Sequence, residues 1–317
     1  MREILALLSD SKFHSGEELG ELLGVTRAAV WKRLKKLEAV GVRVHSVKGR
    51  GYRIPDPLTL LDEAKLRAAG VPDNIGIEIP FETPSTNEVL KRHISIGAAL
   101  PALAVTEHQT QGKGRRGRTW ESGIAKNITM SFAWRFDQGP SVVEGLSLAV
   151  GVVVAKVLRN AGIPNPGLKW PNDIHIDGEK ICGILLEMVA DQDVCHVVIG
   201  IGLNVQSTAE QKAKVDQPWT DLASRLPNVP DRNCLVAEIT KGLEDLCEVF
   251  AKGEGMAHFY PQWQAYDILF NQPVKVFSGV RVQEGIAKGI DENGALRLET
   301  EDGIELLHGG EISVRKQ

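Results

Sequence analysis

The sequence predicts an α+β protein of three domains: a winged helix-turn-helix, a larger mixed α/β domain and a small C-terminal β-barrel. A chain of 317 residues is too long for one small core. The first fifty residues are basic and have helical periodicity, whereas short alternating runs typical of strands follow Asp267. We therefore expect domains at residues 1–58, 59–268 and 269–317.

Charge is distributed unevenly along the chain. Residues 1–54 carry eleven Lys and Arg against six Asp and Glu, a net charge of +5. Because the whole chain has a net charge of −4, the remainder carries −9. A basic N-terminal segment on an acidic body indicates that this segment alone binds a polyanion.

Several classes of protein are disfavoured. The start Met1–Leu5 leads into no long apolar stretch of the kind a signal peptide needs, and no apolar run reaches the roughly 18 residues of a membrane helix. The four cysteines show neither CxxC pairing nor zinc-like spacing with histidine; they are Cys182, Cys195, Cys234 and Cys247. We expect a cytoplasmic protein with reduced thiols, no membrane contact and no metal bound by its own side chains.

The first domain begins with helix-turn-helix signals. Ser15 and Glu18 have the spacing of a capping box, and Gly24 ends the helix that this box opens. Thr26 can cap a second, basic helix that runs from Arg27 to about residue 40. This helix has an inward apolar face formed by Val30, Leu34 and Leu37. A helix, a tight glycine turn and a basic helix is the arrangement that enters the DNA major groove.

A basic hairpin follows these helices. Residues 42–47 alternate like a strand, residues 48–51 supply a turn, and residues 52–54 return. The stretch 27–53 holds nine cations and a single acid, Glu38, which favours DNA binding over an ordinary solvated charged face. The residues expected to contact DNA are Thr26, Arg27, Lys32, Arg33, Lys48 and Arg50.

The remaining elements follow a linker at Pro55-Asp56-Pro57. The central region predicts buried strands and long helices, with strands at 102–106, 181–189 and 194–205 and helices at 147–161 and 235–252. The C-terminal region predicts four strands, at 273–277, 285–290, 295–299 and 312–314, with turns at 278–279, 292–294 and 301–303. Fifty residues of this pattern are typical of a small, SH3-like β-barrel.

The segment Gly112–Arg118 is the first chemical signal, because it holds four cations and three glycines in seven residues. It nearly satisfies a P-loop pattern, but the residues after Trp120 are a poor helix start. Gly200-Ile201-Gly202 lacks the third glycine of a dinucleotide fingerprint. The arginine forks still suit phosphate oxygens. The alternatives are a disordered surface segment or a second nucleic-acid patch.

The second signal is Lys169-Trp170-Pro171-Asn172-Asp173, followed by Lys180 before an apolar, strand-like run. A buried tryptophan and a rigid turn place these charges close to a short hairpin. Lys180 alone would more often be a solvated turn lysine. Together with the cationic loop, however, this segment predicts a site that handles a phosphorylated intermediate.

With these motifs the chain resembles the bacterial biotin protein ligases, of the bifunctional type that also represses the biotin operon. The resemblance covers essentially the whole length. The matching motifs, in chain order, are Ser85-Thr86-Asn87, Gly112–Trp120, Lys169–Asp173 with Lys180, Gly200–Asn204 and Gly309-Gly310-Glu311-Ile312. Their order and combination are more specific than any one of them.

The resemblance implies a two-step reaction. Biotin and Mg-ATP form biotinyl-5'-adenylate and pyrophosphate, and the biotinyl group then passes to a lysine of the biotin carboxyl carrier protein of acetyl-CoA carboxylase. The residue chemistry agrees, because adenylation turns a poor electrophile into a good one. The approach of two anions requires fixed cations, for which Arg115, Arg118 and Lys180 are the candidates, with Mg²⁺ on the polyphosphate.

The resemblance also implies individual roles. The residues expected at the biotin end are Ser85, Thr86, Asn87 and Gln109. Those expected to close over the intermediate are Lys113, Gly114 and Arg115. Lys180 lies at the reacting carboxylate and α-phosphate, Trp120 and Asn204 lie at the adenine, and Asp173 accepts the proton of the carrier lysine. The partners implied are operator DNA and a second copy of the chain when the adenylate is bound.

Two positions depart from the family pattern, and three other interpretations stay open. Pro84 stands before Ser85 where an acidic residue is common, and it stiffens the entry to the pocket. Lys113 stands where the family has an arginine, which keeps the charge and loses the fork geometry. The chain is alternatively a sensing repressor without transfer activity, a ligase whose N-terminal domain no longer binds DNA, or a lipoate ligase. The fused N-terminal domain and C-terminal barrel favour biotin over lipoate.

Overall fold

The computed structural model describes residues 1–55, 58–190, 193–207, 217–279, 281–309 and 312–316. Two sequence features lie outside these residues: the Asp56-Pro57 part of the linker and the Gly310-Glu311 pair of the last motif. The architecture is the predicted α+β one, with an N-terminal winged helix, a central seven-stranded sheet and a C-terminal antiparallel sheet.

The N-terminal unit has three helices and a hairpin, which are α1 (Arg2–Leu7), α2 (Gly16–Leu23), α3 (Arg27–Ala39), β1 (His45–Val47) and β2 (Gly51–Arg53). The capping box forms as expected: the Ser15 hydroxyl accepts from the Glu18 backbone N–H while Glu18 accepts from that of Ser15. Gly24 ends α2 in the left-handed region with φ of 61°, and the Thr26 hydroxyl caps α3. The helix-turn-helix prediction is confirmed.

The central sheet has the strand order β3-β5-β7-β11-β10-β9-β8, and β3–β5 is its one parallel pair among the described strands. Its strands and the short pair β4–β6 are β3 (Gly76–Glu78), β4 (Glu82–Thr83), β5 (Ala102–Thr106), β6 (His108–Gln109), β7 (Ile128–Phe136), β8 (Gly167–Lys169), β9 (Asp173–Ile176), β10 (Glu179–Ala190) and β11 (Cys195–Leu203). The central helices are α4 (Glu63–Ala68), α5 (Thr86–Ser95), α6 (Leu146–Asn160), α7 (Arg232–Ala251) and α8 (Gly255–Tyr266).

Helix α6 is the centre of the main core. It contacts α7, α8 and strands β8 to β10, and most of its apolar side chains are fully buried. The stretch Pro140–Asn160 is long and apolar enough to cross a membrane, but 67% of an apolar 18-residue window within it is buried inside the protein, as in a core helix. Among the central elements we did not predict the long strand β7, the helices α4, α5 and α8, or the short strands β3, β4, β6 and β8; α8 contains Pro261 in its interior.

The C-terminal unit is a five-stranded antiparallel sheet of order β15-β14-β13-β12-β16. Its strands are β12 (Pro273–Ser278), β13 (Arg281–Ile290), β14 (Leu296–Thr300), β15 (Gly303–Leu307) and β16 (Ile312–Lys316). The four predicted strands are present. We did not predict β15, because its alternation is weak and Ile304 and Leu306 are exposed.

The N-terminal and central units are joined by buried contacts. Ile124 and Ala125 of the central unit belong to the apolar cluster that also holds the winged-helix core. Nearby, Arg232 and Glu107 form a buried ion pair of 2.7 Å. Arg232 also donates to the carbonyl of Thr59, and Glu107 accepts the backbone N–H of Leu61. These bonds tie the segment that leaves the N-terminal unit to the central sheet.

Asp267, where the chain passes from α8 towards the C-terminal sheet, predicts a pH-dependent stability. Burial raises the pKa of its carboxyl from 3.8 to about 6, although the backbone N–H groups of Leu269 and Phe270 oppose the shift. Since the folded pKa is raised, the stability that the group contributes is complete below pH 4 and is lost as the pH rises through 6. Asp267→Asn removes that loss.

We compare the free energy of unfolding of Asp267→Asn with that of the parent by urea denaturation at pH 5 and at pH 8. The variant's advantage over the parent should be about 1 kcal/mol larger at pH 8 than at pH 5. Asp302→Asn, in the exposed turn before β15, is the control and should follow the parent at both pH values. A constant difference between Asp267→Asn and the parent would show that the carboxyl does not titrate in this range.

Candidate active site

The first part of the site is a cleft, here the inner cleft, at the N-terminus of α5. Ser85, Thr86 and Asn87 are buried there, each less than 5% exposed. The Gln109 side-chain oxygen accepts hydrogen bonds from the Thr86 backbone N–H at 2.8 Å and from its hydroxyl at 3.1 Å. Ser131 of β7 lies 2.6 Å from Asn87 Oδ1. The floor of the cleft is therefore polar and held in place by its own bonds.

A charged cluster continues from this floor. The Asn87 amide donates to Glu187 Oε2 at 2.7 Å, and Glu187 Oε1 pairs with Lys91 Nζ at 3.0 Å. Lys91 in turn lies 2.7 Å from Glu88 Oε1. The orientation of Asn87 in the cleft thus depends on a carboxylate of β10 and on its own helix.

Glycines of β10 and β11 make room for the larger side chains of the site. A Cβ on Gly202 would lie 2.3 Å from Trp120 Cε2, and one on Gly200 would lie 2.4 Å from Asn87 Oδ1. A Cβ on Gly183 would lie 3.2 Å from both Trp120 and the end of Lys180. Trp120 therefore packs against the sheet at two glycines, Gly183 and Gly202, which carry no side chain.

The glycine-rich loop, Gly112–Arg118, folds back on itself beside the cleft. The backbone N–H of Trp120 donates to the Gly112 carbonyl at 2.9 Å, and the backbone N–H of Gly114 donates to the Arg118 carbonyl at 2.7 Å. Arg116 has a left-handed φ of 58°, which forms the tight tip.

Arg115 connects this loop to another segment of the central unit and to the C-terminal unit. Its guanidinium donates to Asn172 Oδ1 at 3.0 Å and to the backbone carbonyls of Gly309 and Ile312. Burial lowers the pKa of Arg115, with Asp173 opposing the shift, and the group stays cationic at neutral pH. The loop is thus fixed to the segment 169–173 and to the C-terminal sheet.

Lys180 and Asp173 form an ion pair of 2.6 Å across the β9–β10 hairpin. Their side chains are 14% and 20% exposed. Lys180 Nζ also lies 5.9 Å from the centre of the Trp120 ring. The predicted hairpin is present and gives Lys180 an environment unlike that of a solvated turn lysine.

Beyond Lys180 lies a second, outer cleft whose charge is strongly positive. Among the described residues, its wall contains one carboxylate, Asp173, and six cations, which are Arg115, Arg116, Arg118, Lys169, Lys180 and Arg315. Burial lowers the pKa of Lys169, with the Asp173 carboxylate opposing it and the nearby cations adding to it. Such a surface suits a ligand with several negative charges.

A third, side pocket opens at the other edge of Trp120. It is lined by Trp120, Lys180 and Asn204 together with Gln217 and Trp219. The Asn204 amide donates to the Thr220 carbonyl at 3.2 Å, which fixes its orientation. Trp120 and Lys180 are the two residues shared by the walls of all three cavities.

The predicted site residues fall into these cavities as follows. The inner cleft brings together Ser85, Thr86, Asn87, Gln109, Lys113, Gly114, Arg115, Trp120 and Lys180. Arg118 and Asp173 line the outer cleft, and Asn204 lines the side pocket. The residues that we missed are Ser131, Asn172, Gly183, Glu187 and Trp219. Asn172 lies inside the Lys169–Asp173 motif, and Gly183 and Glu187 lie in the run after Lys180 that we had singled out, but we gave none of the three a role. Ser131 and Trp219 carry no local signal.

The residues predicted to contact DNA lie on the N-terminal unit. Thr26 caps α3, Arg27 and Lys32 are exposed on it, and Lys48 and Arg50 are exposed in the turn of the hairpin. Arg33 is half-buried and pairs with Glu3 of α1 at 3.2 Å. Its guanidinium must leave this ion pair before it can contact DNA. A further aromatic side chain, Trp31, is 51% exposed on α3.

Three family models match this chain. Residues 79–204 match the biotin/lipoate A/B protein ligase family, residues 1–53 match an HTH domain, and residues 269–315 match the biotin protein ligase C-terminal domain. The matches follow the order of the three units described above.

Full-length relatives are similar to the whole chain. The bifunctional ligase/repressor BirA of Escherichia coli K12 is 38% identical, over 99% of this chain and 96% of that protein. BirA of Bacillus subtilis 168 is 30% identical, over 99% and 98%. Among solved structures, a biotin protein ligase from Aquifex aeolicus in complex with biotin and ATP has a TM-score of 0.64 at 26% identity, covering 76% of this chain and 99% of that one.

The contact between Trp120 and Gly202 predicts the cost of a small substitution. Gly202→Ala should lower the free energy of unfolding by roughly 1–3 kcal/mol, because the added methyl displaces the indole. In a Trp120→Ala background the same change should cost less than about 0.5 kcal/mol, as the clash is gone. Urea denaturation measures both.

Gly76→Ala in β3 is the matched control, since the nearest atom to its Cβ would be 3.9 Å away. It should have a similar, small effect in both backgrounds. An equal cost of Gly202→Ala with and without the Trp120 indole would mean that the ring does not rest on this glycine.

Proposed function

The chain belongs to the family of the bifunctional ligase/repressor BirA, and on this basis we propose that it is an ATP-dependent biotin protein ligase with a DNA-binding N-terminal domain. The observation that carries the proposal is Lys180, which lies in the walls of the inner cleft, the outer cleft and the side pocket at once. A cation in this position can contact both the carboxylate of biotin and the α-phosphate of ATP as the two are joined.

In the first step the biotin carboxylate attacks the α-phosphorus of ATP, the bond to the β-phosphate oxygen breaks, and pyrophosphate leaves. We assign biotin to the inner cleft, where Thr86, Asn87 and Gln109 supply donors and acceptors. The polyphosphate lies in the outer cleft with Arg118 and Lys169. Both reactants are anions, so Lys180 and Arg115 lower the barrier by balancing charge that concentrates as they approach.

The adenine belongs in the side pocket in this proposal, against the face or edge of Trp120 and near Asn204. In the second step a neutral carrier lysine attacks the acyl carbon of biotinyl-5'-adenylate, an amide forms and AMP leaves. Asp173 is the carboxylate placed to take the proton from that amine, and its ion pair with Lys180 keeps it at the junction. The acceptor is the biotin carboxyl carrier protein of acetyl-CoA carboxylase.

Mg²⁺ enters this scheme with ATP. The described residues contain no group of three or more His, Cys, Asp or Glu side chains that could hold a metal ion. Asp173 is the one carboxylate in the wall of the outer cleft, among the residues that the structure describes there. A donor set this small fits an ion bound mainly through polyphosphate oxygens and water, and the ion would neutralise part of their charge.

Through the DNA-binding domain, biotinyl-5'-adenylate can also control transcription. We propose that the adenylate-bound chain forms a homodimer that binds operator DNA and represses the biotin synthesis genes, in the cytoplasm. From Leu185 to Ala190, β10 pairs with β11 on one side and with no described strand on the other. Met188 and Val189 are exposed there. An unpaired edge of this kind is a surface on which a second copy can extend the sheet.

The domain division at residues 58 and 268 is part of this proposal. Its support is that the N-terminal elements end at Arg53 and the C-terminal sheet begins at Pro273.

Ligation is tested by incubating the purified chain with biotin, ATP, Mg²⁺ and a carrier domain. The mass of the carrier measures transfer, and the release of pyrophosphate measures adenylate formation. Lys180→Met should reduce adenylate formation by roughly 10²–10³-fold, because an electrostatic contact to the transition state is lost. Lys65→Met, an exposed lysine on α4, is the control and should retain the parent rate. Adenylate without transfer would support a sensing repressor instead, and Lys180→Met at near-parental rate would refute the assigned site.

DNA binding is tested through its salt dependence. Lys48→Ala and Arg50→Ala should each weaken binding to a random-sequence duplex and reduce the slope of log K against log salt by about 1, since each removes one phosphate contact. Adenylate formation should not change in either variant. Unaltered slopes in both variants would favour a ligase whose N-terminal domain does not bind DNA.

A further inference from the structure

The charged cluster at the floor of the inner cleft extends to the glycine-rich loop. From Asn87 the contacts run through Glu187 and Lys91 to Glu88 Oε1. Glu88 Oε1 also lies 2.6 Å from Lys113 Nζ, in the first turn of the loop. One unbroken series of hydrogen bonds and ion pairs therefore joins the residues proposed to hold biotin to the segment proposed to cover it.

Glu88 is the member of this series that touches the loop. It lies in the first turn of α5, directly after the cleft residues Thr86 and Asn87. Two ammonium groups, those of Lys113 and Lys91, meet at one of its oxygens, and they hold the pKa of the Glu88 carboxyl below its usual range. The carboxylate is thus charged wherever the protein is folded near neutral pH.

The loop is consequently held at two points that belong to different units. Arg115 holds its middle to the C-terminal sheet through the carbonyls of Gly309 and Ile312. Lys113 holds its beginning to α5 through Glu88. Only Gly114 lies between Lys113 and Arg115. Because the loop is held on both sides of Gly114, both contacts must break before this part of the loop can open.

We propose that Glu88 is a positioning residue, which holds the glycine-rich loop over the inner cleft through Lys113. The placement of the loop stands on these contacts alone. Its consequence, that Glu88 slows the escape of the adenylate, rests on the proposed function. Lys113 suits this contact, because a single ammonium group is enough to reach Glu88 Oε1, the oxygen that Lys91 also contacts.

The size of the effect follows from exposure. The side chains of Lys113 and Glu88 are 48% and 41% exposed, so their pair is weaker than a buried one. We expect about a threefold effect on loop opening, which corresponds to about 0.65 kcal/mol at 1.4 kcal/mol per factor of ten. A loop must open in every turnover, and a weak contact is compatible with that.

The loop itself supplies the first readout, because trypsin cleaves after its arginines. In Glu88→Gln the initial rate of cleavage at Arg115, Arg116 and Arg118 should rise about threefold in the unliganded protein. Lys113→Gln should give the same increase, and the double variant should exceed neither single variant. Parental rates in Glu88→Gln, or additive effects in the double variant, would overturn the proposal.

Glu78→Gln is the matched control. Glu78 also holds α5, by a hydrogen bond to His93 at 2.9 Å and an ion pair with Arg92 at 3.7 Å, but at the end away from the loop. Its loss should leave cleavage in the loop unchanged. An equal increase in Glu78→Gln would mean that the general stability of α5, and not the contact to Lys113, controls the loop.

The second readout separates this inference from the proposed function. Glu88→Gln should release preformed biotinyl-adenylate about three times faster, with the rate of its formation within twofold of the parent. Parental release with faster cleavage would limit Glu88 to the unliganded loop and refute its effect on the intermediate. Absence of adenylate in the parent would refute the proposed function, while the cleavage rates would still decide whether Glu88 holds the loop.

Discussion

The close contact between Trp120 and the glycines of β10 and β11 fixes the rest of the site. Because Gly183 and Gly202 carry no side chain, the indole lies against the backbone of the sheet. The glycine-rich loop is attached just before this ring through the Trp120–Gly112 hydrogen bond, and Lys180 lies over the ring. A tryptophan raised by one methyl group would shift the walls of all three cavities.

The charges at this point are arranged around the carboxylate of Asp173. Asp173 pairs with Lys180 and is the one acid, among the described residues, in a wall that also holds six cations, so this wall carries an excess of positive charge in partly buried surroundings. An anionic ligand relieves that excess, whereas a neutral one does not. The same surface therefore suits two reacting anions. The pKa of the half-buried Lys169 is lowered mainly by burial, and the neighbouring cations add to that shift.

Much of this organisation could be predicted from local sequence. The capping box at Ser15, the basic helix after Thr26 and the apolar face of α6 each depend on neighbouring residues, and each was correct within a few positions. Ser131, Trp219 and Glu88 could not be found in this way. Their roles depend on strand register and on side chains far away in sequence, and no local pattern records either. The strand β15 was missed because its outward residues are apolar.

A crystal structure of this chain grown with biotin, ATP and Mg²⁺ would locate the two substrates relative to Lys180. We expect biotinyl-5'-adenylate with its biotin end in the inner cleft, its adenine in the side pocket beside Trp120 and Asn204, and Lys180 Nζ within hydrogen-bond distance of the acyl phosphate. A ligand bound elsewhere, with Lys180 remote from the acyl phosphate, would contradict the assignment of Lys180 as the residue where the two substrates meet.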